Sequence, residues 1–293
     1  MAPNYVISIT GLWICLFTFC LPAHSAERLI IISIDGGRPD VLLRIDTPII
    51  HRLVKTGSFT FWAQTIDLSI TLPSHTSMLT GVGPEKHGIT WNDYRSSKGT
   101  VAVTTVFEIV KNTGRSTAMI VGKEKFKHLN KKGTVDTFIY RDKLGAGAVV
   151  DEALKLFNKN GVPGLTFLHF YDMDGIGHKH GWGSPQQEES ALAMDRAIGT
   201  LLGWIKKNPK VYANTDVIIT ADHGGHGRGH GEATAIDKTI PWIAWGNDIR
   251  AGHQVEASVN TMDTAATALW LLKLPVPNDW QGKPIKEIYR AKK

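Results

Sequence analysis

Leu29-Ile30-Ile31-Ile32-Ser33-Ile34-Asp35 is the stretch whose reading decides the fold. A near-continuous aliphatic run bounded by polar residues reads as a strand buried on both faces, the pattern of a parallel sheet rather than of a half-exposed one. Three further runs also end in polar residues. Residues 165–171 lead into Asp174 and His178, 217–220 into Asp222 and His223, and 119–121 into Gly122-Lys123-Glu124-Lys125. In an open α/β sheet, ligands bind outside the carboxyl ends of the strands, so these distant residues are expected to converge.

Working outward, segments 47–55, 103–112, 148–157, 185–205 and 261–272 carry helical spacing between the strands. Residues 83–104 read as loop, with Gly88, Trp91, Asn92 and Gly99. Alternating strands and helices predict an α/β fold, a three-layer α/β/α sandwich with a largely parallel central sheet. No Pro/Gly/Ser-rich linker or internal repeat divides residues 26–293, which read as one catalytic domain.

Residues 1–25 contain no Asp, Glu, Lys or Arg, are mostly apolar over 6–21, and close on Ala23-His24-Ser25. This reads as a cleavable secretory signal, with an uncleaved anchor as the competing reading. The chain is therefore expected to be secreted or periplasmic, with no stable membrane association after cleavage. Cys15 and Cys20 both lie inside that segment, so a mature chain starting near Ala26 has no thiol ligand or disulfide. The net charge of +6 is spread over scattered Lys and Arg residues. That favours a solvated basic surface over a nucleic-acid polymer as partner.

The chemistry begins at Asp222-His223, where Gly224-Gly225 supplies freedom to bend the chain so that carboxylate and imidazole face one cation. Asp174 and His178 form a second such pair on a flexible strand-end loop with Gly175 and Gly177, and Asp35 precedes Gly36-Gly37. His230, in Gly229-His230-Gly231, completes a set of oxygen and nitrogen donors without sulfur, which suits Zn2+. Six ligands exceed the needs of one catalytic zinc and suggest two, the clamp that stabilises both oxygens of a phosphoryl displacement. Thr71, in Ser69-Ile70-Thr71-Leu72-Pro73-Ser74-His75, is the candidate nucleophile at a helix start. Lys123 and Lys125 flank the site, with Lys123 a candidate substrate-binding residue. His75, His87 and His169 read as hydrogen-bonded loop or core histidines, Trp182 as loop packing, and Asp172 as undecided.

Ile34-Asp35-Gly36, Thr71-Leu72-Pro73-Ser74-His75, His87-Gly88-Ile89 with Asn92, Asp174-Gly175-Ile176-Gly177-His178 and Ala221-Asp222-His223-Gly224 resemble the motifs of the alkaline phosphatase superfamily. They are most similar to its type I phosphodiesterase/nucleotide pyrophosphatase branch, in order over nearly all of residues 28–285. The resemblance implies a two-zinc phosphoric-ester hydrolase acting through a covalent phospho-threonine on Thr71. Asp35, Thr71, Asp222 and His223 would hold one Zn2+, and Asp174, His178 and a late histidine the other. His226 and His230 are both possible there, with His230 preferred because it leads into the strand at 239–245. Asn92 and the Thr71 amide would bind a phosphate oxygen, and the implied partner is a small anionic phosphate ester. Ser74 departs from the asparagine of that motif, and the chain lacks the long insertion of larger members before the last ligand. Phosphomonoesterase or phosphonoacetate-type C–P hydrolase activity is the alternative, sulfatase a lesser one because Thr71 is not Cys or Ser, and a non-catalytic zinc-binding protein a distant one.

Overall fold

The computed structural model describes Met1 and residues 26–290, so the signal reading of residues 1–25 falls, apart from Met1, outside the described residues. Eight strands form one sheet: β1 (Arg28–Ile34), β2 (Ser58–Gln64), β3 (Thr117–Val121), β4 (Thr137–Tyr140), β5 (Leu165–Phe170), β6 (Thr215–Ala221), β7 (Thr239–Trp245) and β8 (His253–Gln254). Their order is β4-β3-β5-β1-β6-β7-β2-β8. Every pairing is parallel except β6 with β7 and β2 with β7. The aliphatic run of β1 lies between β5 and β6 and is buried from Leu29 to Ile34, which is why it shows no polar alternation.

Helices cover both faces. Pro48–Thr56, Ala146–Asn160, Asp172–His180 and Pro185–Lys207 pack together on one side, and Thr71–Thr80, Val106–Asn112 and Asp263–Leu271 on the other. The expected three-layer α/β/α sandwich with a largely parallel sheet is the architecture found. The helix start expected at Thr71 is found there, in the helix Thr71–Thr80. One local expectation changes. The loop expected around Asp174 and His178 is the helix Asp172–His180. Among the described residues, no helix is long and apolar enough to cross a membrane.

One buried carboxylate ties two helices of the first layer together. Pro48 opens its helix, and the preceding Thr47 makes no side-chain cap. Asp195, from the long helix Pro185–Lys207, instead accepts the Ile49 and Ile50 N–H groups at 3.0 and 2.8 Å. Those amides would otherwise be orphans of a first helical turn. Asp195→Ala is expected to cost about 2 kcal/mol of stability, the penalty of unsatisfied buried donors. Equilibrium urea unfolding checks this; a loss below about 0.5 kcal/mol would mean that water replaces the carboxylate.

Candidate active site

Ile34 pairs with Ala221 across β1 and β6, so the next residues on, Asp35 and Asp222, leave the sheet side by side. Gly36 takes a positive φ of 70°, which a side chain would disfavour, and its N–H donates to Asp222 Oδ1 at 3.1 Å. The His223 N–H donates to the same oxygen at 3.0 Å, leaving Asp222 Oδ2 to face Asp35 and His223. Gly224 and Gly225 serve here for space rather than for bending. A Cβ on Gly224 would lie 2.1 Å from the Ile236 carbonyl oxygen, and one on Gly225 2.3 Å from the Trp182 ring.

Asp174 and His178 are four residues apart on the helix Asp172–His180, and that spacing puts both side chains on one face. Gly175 and Gly177 do not loosen this segment, as their place between the two residues had suggested. They admit aromatic rings: added Cβ atoms would lie 2.3 Å from the Tyr171 ring and 2.8 Å from the Trp182 ring.

Three imidazoles share one arrangement. His223 Nδ1 donates to the Gly224 carbonyl at 2.9 Å, His178 Nδ1 to Arg228 at 2.9 Å, and His230 Nδ1 to Ser69 at 3.0 Å. A ring nitrogen that donates to a carbonyl leaves the other nitrogen with a free lone pair in the neutral ring. His223 Nε2 then faces Asp35 Oδ1 at 3.3 Å and Asp222 Oδ2 at 3.2 Å. His178 and His230 Nε2 both face Asp174 Oδ1, at 3.2 and 3.4 Å. The His223 and His230 rings stack at 3.7 Å, which brings the two groups together. Asp35 Oδ1, Asp174 Oδ1, Asp222 Oδ2 and His223 Nε2 are buried with no hydrogen-bond partner. Lone pairs and carboxylates facing one another in a buried site call for positive charge between them. The donor atoms of Asp35, Asp222 and His223, and those of Asp174, His223 and His230, each lie within 4.8 Å of one another. Oxygen and imidazole donors without sulfur, with pinned Nδ1 atoms, fit divalent cations of the zinc type.

The other oxygens of two carboxylates turn to a lysine. Lys123 Nζ, on the segment following β3, lies 2.6 Å from both Asp35 Oδ2 and Asp174 Oδ2 and donates to Thr71 Oγ1 at 3.2 Å. Burial opposes the charge on all of these groups, yet together they keep it. Burial would raise the Asp35 carboxyl, but Lys123 and the hydrogen bond from His169 hold it well below the ordinary range. Asp174, raised by burial and by Asp35, is likewise brought well below by Lys123 and its two histidines. Burial would lower Lys123, and Asp35, Asp174 and Asp222 raise it above its usual value. Asp222, buried beside Asp35, is pushed well above the carboxylate range.

Thr71 opens the helix Thr71–Thr80, all of it buried. Asn92 Oδ1 accepts the Leu72 N–H and the Lys125 ammonium, each at 2.9 Å, and among the described residues its amide NH2 has no acceptor. His169, expected to be a satisfied core histidine, has a larger part: Gly122 N–H donates to its Nδ1 at 3.3 Å, and its Nε2 donates to Asp35 Oδ2 at 2.7 Å. The available signal was a lone polar residue near the end of an apolar strand, in register with Ser33. His75 lies beneath the site, with Nδ1 on the Thr71 carbonyl and Nε2 on Ser33 Oγ, both at 2.8 Å. His87 bonds Ser77, in the helix Thr71–Thr80, and Ile89, and burial lowers its pKa to about 4. His226 Nδ1 pairs with Asp237 at 2.8 Å; neither His226 nor half-exposed His178 belongs to the two donor groups, but His178 Nε2 faces Asp174 whereas His226 does not. Asp172 accepts the Ala146 N–H at 2.7 Å and so anchors the start of the helix Ala146–Asn160.

A family model for type I phosphodiesterase / nucleotide pyrophosphatase matches residues 29–240. The chain belongs to that family. It is 24% identical over 214 residues to human ectonucleotide pyrophosphatase/phosphodiesterase family member 5, covering 68% of this chain and 45% of that protein. It is 27% identical over 229 residues to the mouse bis(5'-adenosyl)-triphosphatase, covering 68% of this chain and 47% of that protein. The chain thus spans about half the length of these curated relatives. Among solved structures, an inactive murine ectonucleotide pyrophosphatase / phosphodiesterase 5 in complex with AMP matches with a TM-score of 0.74 at 17% identity, over 89% of this chain and 99% of that one. Membership makes the chain one of a family of phosphodiesterase-type hydrolases.

Lys123→Met is expected to destabilise the metal-free protein by about 3 kcal/mol or more, because two buried carboxylates lose their counter-charge. A divalent cation supplied to the same variant should recover most of that loss. Thermal unfolding with chelator and with Zn2+ checks this, and an equal deficit in both would exclude charge balance as the lysine's role.

Proposed function

We propose that this chain is a secreted or periplasmic two-zinc phosphodiesterase of nucleotide pyrophosphatase type, with residues 26–293 as its catalytic domain behind a signal segment. The observation that carries the reading is the shared pinning of His178, His223 and His230 by backbone carbonyls, with their Nε2 atoms turned to buried carboxylate oxygens. Asp35, Asp222 and His223, with Thr71, would hold one Zn2+, and Asp174, His178 and His230 the other. Zinc bound there supplies Lewis-acid neutralisation of charge on the phosphoryl group.

The chain's own residues do the remainder. Thr71 Oγ attacks phosphorus, the bond from phosphorus to the leaving oxygen breaks, and the phospho-threonine is then hydrolysed by water, returning the threonine hydroxyl and releasing the phosphoryl product. Lys123 stands beside Thr71 Oγ1 and stabilises negative charge on it. The Thr71 N–H and the Asn92 amide group would face a phosphoryl oxygen; the Leu72 N–H is taken by Asn92 Oδ1 and Pro73 has none. The AMP complex of the murine structure and the mouse triphosphatase are consistent with nucleotide esters as substrates.

One observation favours a second reading within the same chemistry. Lys125, bonded to Asn92 Oδ1, adds to Lys123 a cation that no carboxylate of the site engages directly, so the two lysines leave positive charge beyond that of the ligand set. A phosphomonoester dianion, a phosphonate such as phosphonoacetate, or a diester with an anionic leaving group would use them. Sulfatase chemistry that converts Cys or Ser to formylglycine has no such residue at position 71.

The test is hydrolysis of bis-p-nitrophenyl phosphate, thymidine 5'-monophosphate p-nitrophenyl ester, p-nitrophenyl phosphate and phosphonoacetate by the zinc-loaded enzyme, with a chelator control. Diester preference is expected, and monoester or phosphonate preference would favour the second reading. Thr71→Ala should abolish turnover of all four with zinc content nearly intact; more than a few per cent residual activity would sink the covalent route. In metal analysis, His230→Ala should lose one zinc equivalent and His226→Ala none. Equal zinc in the two variants would remove His230 from the ligand set.

A further inference from the structure

Trp182 is the point at which three cation-binding segments meet. The indole is buried, and its Nε1 donates to the Gly36 carbonyl at 3.2 Å, one residue after Asp35. Its ring fills space left by three glycines from three segments. Cβ atoms built on Gly36, Gly177 and Gly225 would lie 3.2, 2.8 and 2.3 Å from it. Gly36 follows Asp35, Gly177 precedes His178, and Gly225 follows Asp222-His223 on the segment that leads to His230. The ring also meets two imidazoles directly, edge-on to His178 at 5.2 Å and 86°, and to His230 at 5.8 Å and 63°. The Trp182 backbone N–H donates to the Gly227 carbonyl at 2.8 Å, which ties the residue to the strip that carries His230.

We propose that Trp182 is a positioning residue that sets the spacing of the cation site formed by Asp174, His178 and His230. His178 stands on a helix and His230 on a loop; each ring is pinned by one carbonyl bond, and His230 also stacks on His223. The indole edge limits how far both rings can turn about those bonds. The other group, Asp35, Asp222 and His223, is held by strand register and by the backbone bonds of Gly36 and His223, and it meets the indole only through the backbone of Gly36 and Gly225, not through a ligand ring. Removal of the ring therefore acts unequally on the two sites. This inference rests on the two-cation reading above.

The experiment is a Zn2+ titration of the metal-free full chain, by calorimetry and by competition with a chromophoric chelator. The variants are Trp182→Ala, Trp182→Phe and, as a matched buried control at the far end of β7, Trp245→Phe. The wild type should bind two ions. In Trp182→Ala one of the two affinities should fall about 10- to 100-fold, the range for residues that orient metal ligands, and the other by less than about 3-fold. Trp182→Phe, which keeps a ring but loses the bond to Gly36, should fall between, and Trp245→Phe should match the wild type. Trp182→Phe keeps the test open if the alanine variant does not fold. A Trp182→Phe variant with both affinities unchanged, or with both weakened equally, would overturn the positioning role. A wild type that binds fewer than two ions would instead overturn the two-cation reading.

Discussion

The electrostatic problem of the buried site governs the rest of the structure. Three carboxylates and the imidazoles of His223 and His230 are gathered within a few ångströms, largely out of water, with half-exposed His178 at the edge. Removing such charges from water costs several kcal/mol apiece unless they are compensated. Lys123 supplies part of the compensation through the Oδ2 atoms of Asp35 and Asp174. Asp35 and Asp174 Oδ1, Asp222 Oδ2 and His223 Nε2 are left without a hydrogen-bond partner, and they form the candidate positions for cations.

The sheet makes this gathering possible. β5, β1 and β6 are adjacent and parallel, so their carboxyl ends open on one crevice, and the register of β1 with β6 sets Asp35 beside Asp222. β3 lies one strand further out, and Lys123 reaches past β5 to the same carboxylates. Thr71, the candidate nucleophile, arrives from the opposite helical layer. The helix Thr71–Thr80 starts at Thr71, whose hydroxyl meets Lys123 at the strand ends. Each layer contributes something that the others cannot: strands set separation, one helix pairs Asp174 with His178, and the other brings Thr71.

Much of the fold was legible in the chain because burial on both faces writes an unmistakable pattern. The run through Ile30, Ile31 and Ile32 has no polar alternation, and the segments between strands carry helical spacing, so the layered architecture follows from periodicity alone. The glycines were the main misreading. Gly175 and Gly177 suggested a loop because glycine weakens helices, yet the segment is helical and the glycines make room for Tyr171 and Trp182. No sequence pattern distinguishes a glycine kept for flexibility from one kept for contact, since the contacting ring comes from elsewhere in space.

What the sequence determined by itself was the kind of chemistry: Asp, His and Thr at the ends of apolar runs, with no thiol among residues 26–293. Residue type and position after a strand are local properties, and the parallel sheet turns them into convergence. Only the tertiary structure decided how the donors are aimed. His226 and His230 stand four residues apart in one glycine-rich stretch, and nothing local separates them; the fold turns His226 to Asp237 and His230 to Asp174. His169 and Lys125 likewise gained their parts from neighbours distant in the chain, Asp35 and Asn92. Hydrogen-bond direction depends on which carbonyl or carboxylate lies across the crevice, and that is settled only when the three layers have packed.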